Sequence, residues 1–193
     1  MTAHRIVSSY IARVQEAIES IEPDKVTLLT QAIVNTLNNK GKIVIAGNGG
    51  SASTANHMVN DLIMARNFKA KAAQVISLTD NQAIFSAIGN DFSFEQVFSK
   101  QIETLCEAKD LLILISASGN SSNLIKAFEE ASRIGMQSAA ILGFDGGKLK
   151  NLVEIAIHAK TRIGDYGPAE DIALVVNHAI AAALRSEVLV VND

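Results

Sequence analysis

A chain of 193 residues that is 48% hydrophobic and 19% charged is the size of one domain and buries enough apolar surface to fold, which excludes intrinsic disorder. Aromatics make up only 5%, with no Trp, and 17 basic against 20 acidic side chains leave a net charge of -3. The chain therefore lacks both the rings that stack single-stranded nucleic acid and the field that attracts a polyanion. One cysteine, Cys106, excludes an intrachain disulfide and a cysteine-only metal centre.

Two helical patterns open the chain. Val7, Tyr10, Ile11, Val14, Ala17, Ile18 and Ile21 recur at helical spacing until Pro23, and residues 26–37 repeat the pattern until the turn Asn38-Asn39-Lys40-Gly41. Arg5, Arg13 and Glu16 fall where a signal peptide needs an unbroken apolar run. The apolar uncharged stretches 111–125 and 172–184 are shorter than the roughly 20 residues that cross a bilayer. The expectation is a cytoplasmic protein with neither membrane nor nucleic-acid partners.

Short apolar runs follow at 43–46, 75–78, 111–115, 139–142 and 154–157, separated by loops and, in most cases, helical stretches. Runs this short, bounded by Gly, Ser or Asn, suit buried parallel strands. A last helical pattern spans 168–186, with Pro168 in its first turn. The predicted fold class is α/β, a doubly wound five-stranded parallel sheet flanked by helices. Residues 1–193 form a single domain, with an N-terminal helical hairpin over 1–40 and the α/β core and C-terminal helix over 41–193.

Two loops at strand ends carry candidate chemistry. The first, Gly47-Asn48-Gly49-Gly50-Ser51, turns from strand to helix, where backbone N–H groups and a helix N-terminus face an anion. It also meets a relaxed dinucleotide fingerprint, but the nearest acid after the second strand is Asp80, about thirty residues on, and no Walker lysine is present. The second, Ser116-Ala117-Ser118-Gly119-Asn120-Ser121-Ser122, sets several hydroxyls before another helix. One Ser there is an ordinary N-cap; three with an Asn and no Lys or Arg suit a single phosphate held by neutral donors. Loops following strands one and three lie at the edge where open α/β sheets bind ligands.

His57 and Asp61 are four residues apart after the glycine loop, so they share one helix face and can share a metal or act as a polar pair. His178 lies within an apolar helical run, where a lone His is more often a core residue than a catalyst. Glu170 and Asp171 begin that helix, where acids favour the dipole. On a continuous helix Glu170 and His178 are about 12 Å apart along the axis and about 80° apart around it. Such residues serve different parts of one site or belong to two sites shared between subunits. Asn90-Asp91 reads as a turn that could face a ligand, His4 as surface, His158 as structural, and Cys106 as an inert buried thiol.

Taken together, the glycine loop, His57 with Asp61, Gly89-Asn90-Asp91-Phe92, the serine loop, Asp145-Gly146-Gly147-Lys148 and the stretch from Glu170 to His178 resemble the sugar isomerase (SIS) fold. Within it they are similar to the phosphoheptose isomerases, over essentially the whole chain. The resemblance implies conversion of sedoheptulose 7-phosphate to D-glycero-D-manno-heptose 7-phosphate by a homotetramer with active sites between subunits. It implies that Asn48, Gly49, Gly50 and Ser51 bind substrate, that Asn90, Asp91 and Glu170 line the sugar, and that Ser116, Ala117, Ser118 and Ser121 hold the phosphate. It implies a divalent metal, zinc in many members, at His57, Asp61, Glu170 and His178. Three positions depart from the best-known members: Asp61 stands for a Glu, Glu170 for a Gln, and Ala117 for a Thr.

The implied reaction moves a proton between C1 and C2 through an enediol, so it needs a base near carbon and an acid near the oxygens. Asp61 and His178 are the candidates, with a metal at His57 polarising the carbonyl. The competing readings are a non-catalytic SIS protein that binds a protein partner or senses sugar phosphates, and an isomerase of another ketose phosphate. Initiator-binding relatives lack the counterpart of His178 and alter the glycine loop; both features are intact here.

Overall fold

The structure is a computed structural model that describes residues 2–65 and 74–186. Residues 1, 66–73 and 187–193 of the expected 1–193 domain lie outside the described residues. The two predicted N-terminal helices are α1 (Ala3–Glu19) and α2 (Pro23–Asn38), each packed against the C-terminal helix. Thr2 caps α1 through its side chain, and Pro23 opens α2, where its missing N–H removes no bond.

Five parallel strands follow: β1 (Lys42–Gly47), β2 (Gln74–Ser77), β3 (Leu111–Ser116), β4 (Gln137–Leu142) and β5 (Ile155–His158), in the order β2-β1-β3-β4-β5. Between them run α3 (Gly50–Met64), α4 (Gln82–Asp91), a 3-10 turn at Phe94–Gln96, α5 (Ser99–Leu105), α6 (Ser122–Arg133) and the short α7 (Leu149–Leu152). Helix α8 (Tyr166–Arg185) closes the described chain and begins two residues before the predicted start, leaving Pro168 in its first turn.

The doubly wound expectation is borne out by side-chain alternation along the central strands. Ile43, Ile45, Leu111, Ile113 and Ile115 pack with α1, α2, α3 and α8, while Val44, Ala46, Leu112 and Leu114 pack with α5, α6 and α7. Both faces are covered, so the strands read as continuous apolar runs rather than alternating ones. Each Leu or Ile fully buried there contributes about 2 kcal/mol. The fifth strand starts one residue later than predicted because Glu154 faces back to accept bonds from the Ser138 N–H and hydroxyl at the start of β4.

The chain order reverses between β1 and β3, which pair directly through Gly47 and Ile115 at their last common rung. Helix α3 leaves toward one face and α6 toward the other, opening a crevice at the carboxyl edge.

Cys106 is half-buried rather than fully buried. Burial, and then the nearby Asp110 carboxylate, push its thiol up to about 11. The folded protein therefore keeps a proton that the unfolded chain releases on passing the ordinary thiol range. This contribution to stability is constant at neutral pH and is lost as pH rises above that range. Iodoacetamide at pH 8 should label Cys106 at least about tenfold more slowly in native than in denatured protein, because the thiolate is the nucleophile. Equal rates by mass spectrometry would contradict the raised value.

Candidate active site

The β1–α3 and β3–α6 loops face each other across the crevice and line a cavity of about 240 Å³. Asn48, Gly49, Gly50, Ser51, Ser116, Ala117, Ser118, Ser121 and Glu170 all contribute to its wall. Residues from three separate parts of the chain thus converge where the topology favours a ligand.

The serine loop is shaped by its own hydrogen bonds. Ser116 Oγ accepts from the Gly119 N–H at 3.0 Å, and Ser118 Oγ accepts from the Asn120 N–H at 3.2 Å. Each hydroxyl keeps a proton to donate. Ser121 is the N-cap residue of α6 yet makes no capping bond with its side chain. Its hydroxyl and the first N–H groups of the helix are open to an anion in the cavity.

Asn120, singled out among the donors, is committed to the loop itself. Its Nδ2 donates to Ser118 O and its Oδ1 accepts from the Lys148 N–H. The Asp145-Gly146-Gly147-Lys148 segment is therefore a buttress. Gly119 at φ +62° packs so closely that a Cβ there would lie 2.0 Å from Gly146 O.

Gly49, at φ +54°, opens α3 without a side-chain cap. The Glu170 carboxyl lies over Gly50, where any Cβ would come within 2.3 Å of its carbon and both oxygens. A glycine at 50 thus admits an anionic side chain beside the positive end of α3. Tyr10 Oη donates to Asp171 Oδ2 at 2.5 Å, and this bond, with burial and the carboxylate charge, raises the phenol to about 12. It ties α1 to the first turns of α8.

His57, Asp61 and His178 meet on the α3–α8 side. Asp61 Oδ2 lies 3.3 Å from His57 Nε2 and 3.6 Å from His178 Nε2, and the two Nε2 atoms are 3.1 Å apart. The imidazoles are about half exposed, whereas Asp61 is 8% exposed. These three donors all lie within 4.8 Å of one another. Two imidazoles and a carboxylate at that spacing fit a divalent ion with a coordination position left open. Glu170 is not among them within one chain, as its helical separation from His178 anticipates.

Asn90 and Asp91 end α4 on the exposed surface and do not line the chain's own cavity; the Asn90 amide donates to the Asp91 carboxylate. His4 is exposed. His158 bridges Lys150 and Phe144 O, a structural placement.

Three residues at the site were not singled out from sequence. Asn177 is fully buried and donates from Nδ2 to Asp61 Oδ2 at 2.7 Å, while its Oδ1 has no partner among the described residues. Tyr166 forms one cavity wall and packs edge-on against Phe144, which itself adopts φ +46°. Asn123 is bonded to Asn48 from beneath the serine loop. Only the position of Asn177 next to His178 offered a local signal.

A parallel sheet with this order, a cavity at its switch point and a carboxylate–imidazole group beside it are the architecture of a sugar isomerase domain. The SIS domain family matches residues 8–143. A phosphoheptose isomerase of Helicobacter pylori (strain P12) is 40% identical over 143 residues, 74% of each chain. One from Geotalea daltonii is 36% identical over 154 residues, 78% of this chain and 80% of its own. The solved phosphoheptose isomerase of Neisseria gonorrhoeae superposes with a TM-score of 0.85 at 29% identity, covering 95% of this chain and 98% of that one. The chain belongs to the SIS domain family and, within it, to the phosphoheptose isomerases.

Proposed function

We propose that this protein interconverts sedoheptulose 7-phosphate and D-glycero-D-manno-heptose 7-phosphate through an enediol. The observation that best supports this is the pairing of the neutral phosphate cradle with the Asp61–His57–His178 group. Gly50, in the loop read as contacting the sugar, stands seven residues before His57 on α3, about 10 Å along the helix, a separation on the scale of a long acyclic sugar chain.

In this reading Ser116, Ser118 and Ser121 with the Ala117 N–H hold the phosphate, while Asn48, Gly49, Gly50, Ser51 and Glu170 contact the sugar. Of Asp61 and His178, one carries the proton between C1 and C2 and the other exchanges protons with O1 and O2. Burial beside Asn177 and Asn60, whose amides donate to both of its oxygens, holds the Asp61 carboxylate in one orientation. His57, Asp61 and His178 would hold a divalent ion, zinc being the candidate, and such an ion supplies polarisation of a carbonyl oxygen. Glu170 would join those ligands only from a second chain.

The proposed assembly is a homotetramer with sites between subunits. On α1, Ile6, Val7 and Ile11 are more than half exposed; α4 has no buried residue, and Phe92 and Phe94 beside it are uncovered. Apolar faces of this kind are covered in an assembly. Asn90 and Asp91 would then meet the sugar held by a neighbouring chain. No helix among the described residues is long and apolar enough to cross a membrane, and a phosphorylated sugar as substrate suits the cytoplasm.

The test is an isomerisation screen over C5 to C8 ketose phosphates, with added zinc and with chelator, read by turnover and by exchange of the carbon-bound proton with deuterated solvent. The C7 ketose phosphate should turn over fastest, and chelation should slow it. Absence of exchange from every sugar phosphate would overturn the reading in favour of a binding protein.

A further inference from the structure

We propose that Asn123 is a positioning residue. Through a reciprocal amide pair with Asn48 it sets the gap between the glycine loop and the serine loop, and hence the spacing at which one substrate's sugar and phosphate are held. This rests on the reading of the serine loop as the phosphate cradle.

Asn48 Nδ2 donates to Asn123 Oδ1 at 2.9 Å, and Asn123 Nδ2 donates to Asn48 Oδ1 at 2.9 Å. The two amides form a closed ring between residues 75 positions apart in the chain. Asn48 is the first residue after β1; Asn123 stands in the first turn of α6, two residues after its N-cap Ser121. Below them the strands are joined by the β1–β3 ladder, whose last rung pairs Gly47 with Ile115. Beyond that rung α3 and α6 diverge to opposite faces of the sheet, and the amide pair bridges the floor of the crevice between them.

Asn123 is 1% exposed, so its amide must be satisfied within the protein. Among the described residues its side chain bonds only to Asn48. An N-capping or helix-back-bonding role would direct it to backbone groups of α6 instead. The serine loop is already braced on its far side, where Gly119 O accepts from the Leu149 N–H and Asn120 Oδ1 from the Lys148 N–H. The Asn48 link supplies the opposing brace. It also commits one edge of the Asn48 amide, leaving one N–H and one lone pair for a sugar hydroxyl. The requirement for asparagine is chemical. An aspartate at 123 would set a carboxylate oxygen against Asn48 Oδ1, and leucine would leave both Asn48 groups unpaired.

The test uses Asn48→Ala, Asn123→Ala and the double variant in the full chain. It measures dissociation constants for inorganic phosphate and for sedoheptulose 7-phosphate by calorimetry, together with Tm. Free phosphate touches only the serine loop, so its affinity in Asn123→Ala should stay within about threefold, while the ketose phosphate weakens about tenfold or more. The double variant should bind the ketose phosphate no worse than the weaker single variant, as expected for two residues acting as one unit. Equal losses for both ligands, or a lowered Tm with both affinities unchanged, would overturn the proposal. Should Asn123→Ala fail to fold, Asn123→Ser, which keeps a polar group there but cannot close the two-bond pair with Asn48, must show the same split. If the unaltered protein binds phosphate but no sugar phosphate, the proposed function is what fails. The clamp is then decided by Tm: non-additive losses in the two single variants support it, and additive losses overturn it.

Discussion

Replacing His178 with Ala is expected to lower turnover of the ketose 7-phosphate by roughly 10²–10⁴-fold, the range for losing a positioned acid–base group, with Tm nearly unchanged. The expectation follows from where the side chain stands. His178 is more than half exposed and its imidazole touches His57 and Asp61 rather than the core. Its neighbours Asn177 and Ile180 are the buried ones on that helix. On the proposed mechanism, truncation therefore removes proton transfer and one imidazole donor while sparing packing. Turnover and proton exchange measured beside thermal melting separate the outcomes, and a variant that keeps wild-type turnover would remove His178 from the mechanism. Asp61→Asn should match it in turnover but, being buried and paired, should also alter stability.

Gly119→Ala is expected to weaken inorganic phosphate binding by more than tenfold and to lower Tm by several degrees. Two effects add. The residue sits at φ +62°, where a side chain costs about 1–2 kcal/mol, and its Cβ would meet backbone, Gly146 O at 2.0 Å. Backbone cannot swing aside as a side-chain tip can, so the serine loop must leave its buttress. Gly49→Ala is the control: φ is +54°, but nothing lies within 4 Å of the added carbon. That variant should carry only the conformational cost, and about 1 kcal/mol shifts Tm by roughly 2–4 °C at this size. Indistinguishable phosphate affinities in the two variants would show that the Gly119–Gly146 contact does not shape the cradle.

Much of the architecture is legible in local pattern. The five strands fall within two residues of their expected positions, because runs bounded by Gly, Ser and Asn report a backbone buried on both faces. The pairing of His57 with Asp61 is equally legible, since a four-residue spacing on one helix fixes neighbours without reference to the rest of the chain. The serine cluster reads as more than a cap, and in the structure the Ser121 side chain makes no capping bond.

What local pattern left open is everything decided between elements. Asn120 reads as another donor, yet it is consumed by the Lys148 N–H, 28 residues away. Glu170 reads as a helix-start acid, and only the packing of α8 against α3 lays its carboxyl over Gly50. The partners Asn48 with Asn123, and Asp61 with Asn177, are 75 and 116 residues apart. Sequence by itself determined the periods, and so the class of fold, the two candidate loops and the histidine–carboxylate face. Tertiary structure alone decided which buried amides meet and which hydroxyls stay free, because buried polar groups are satisfied by whichever face packs against them, and no local spacing records that choice.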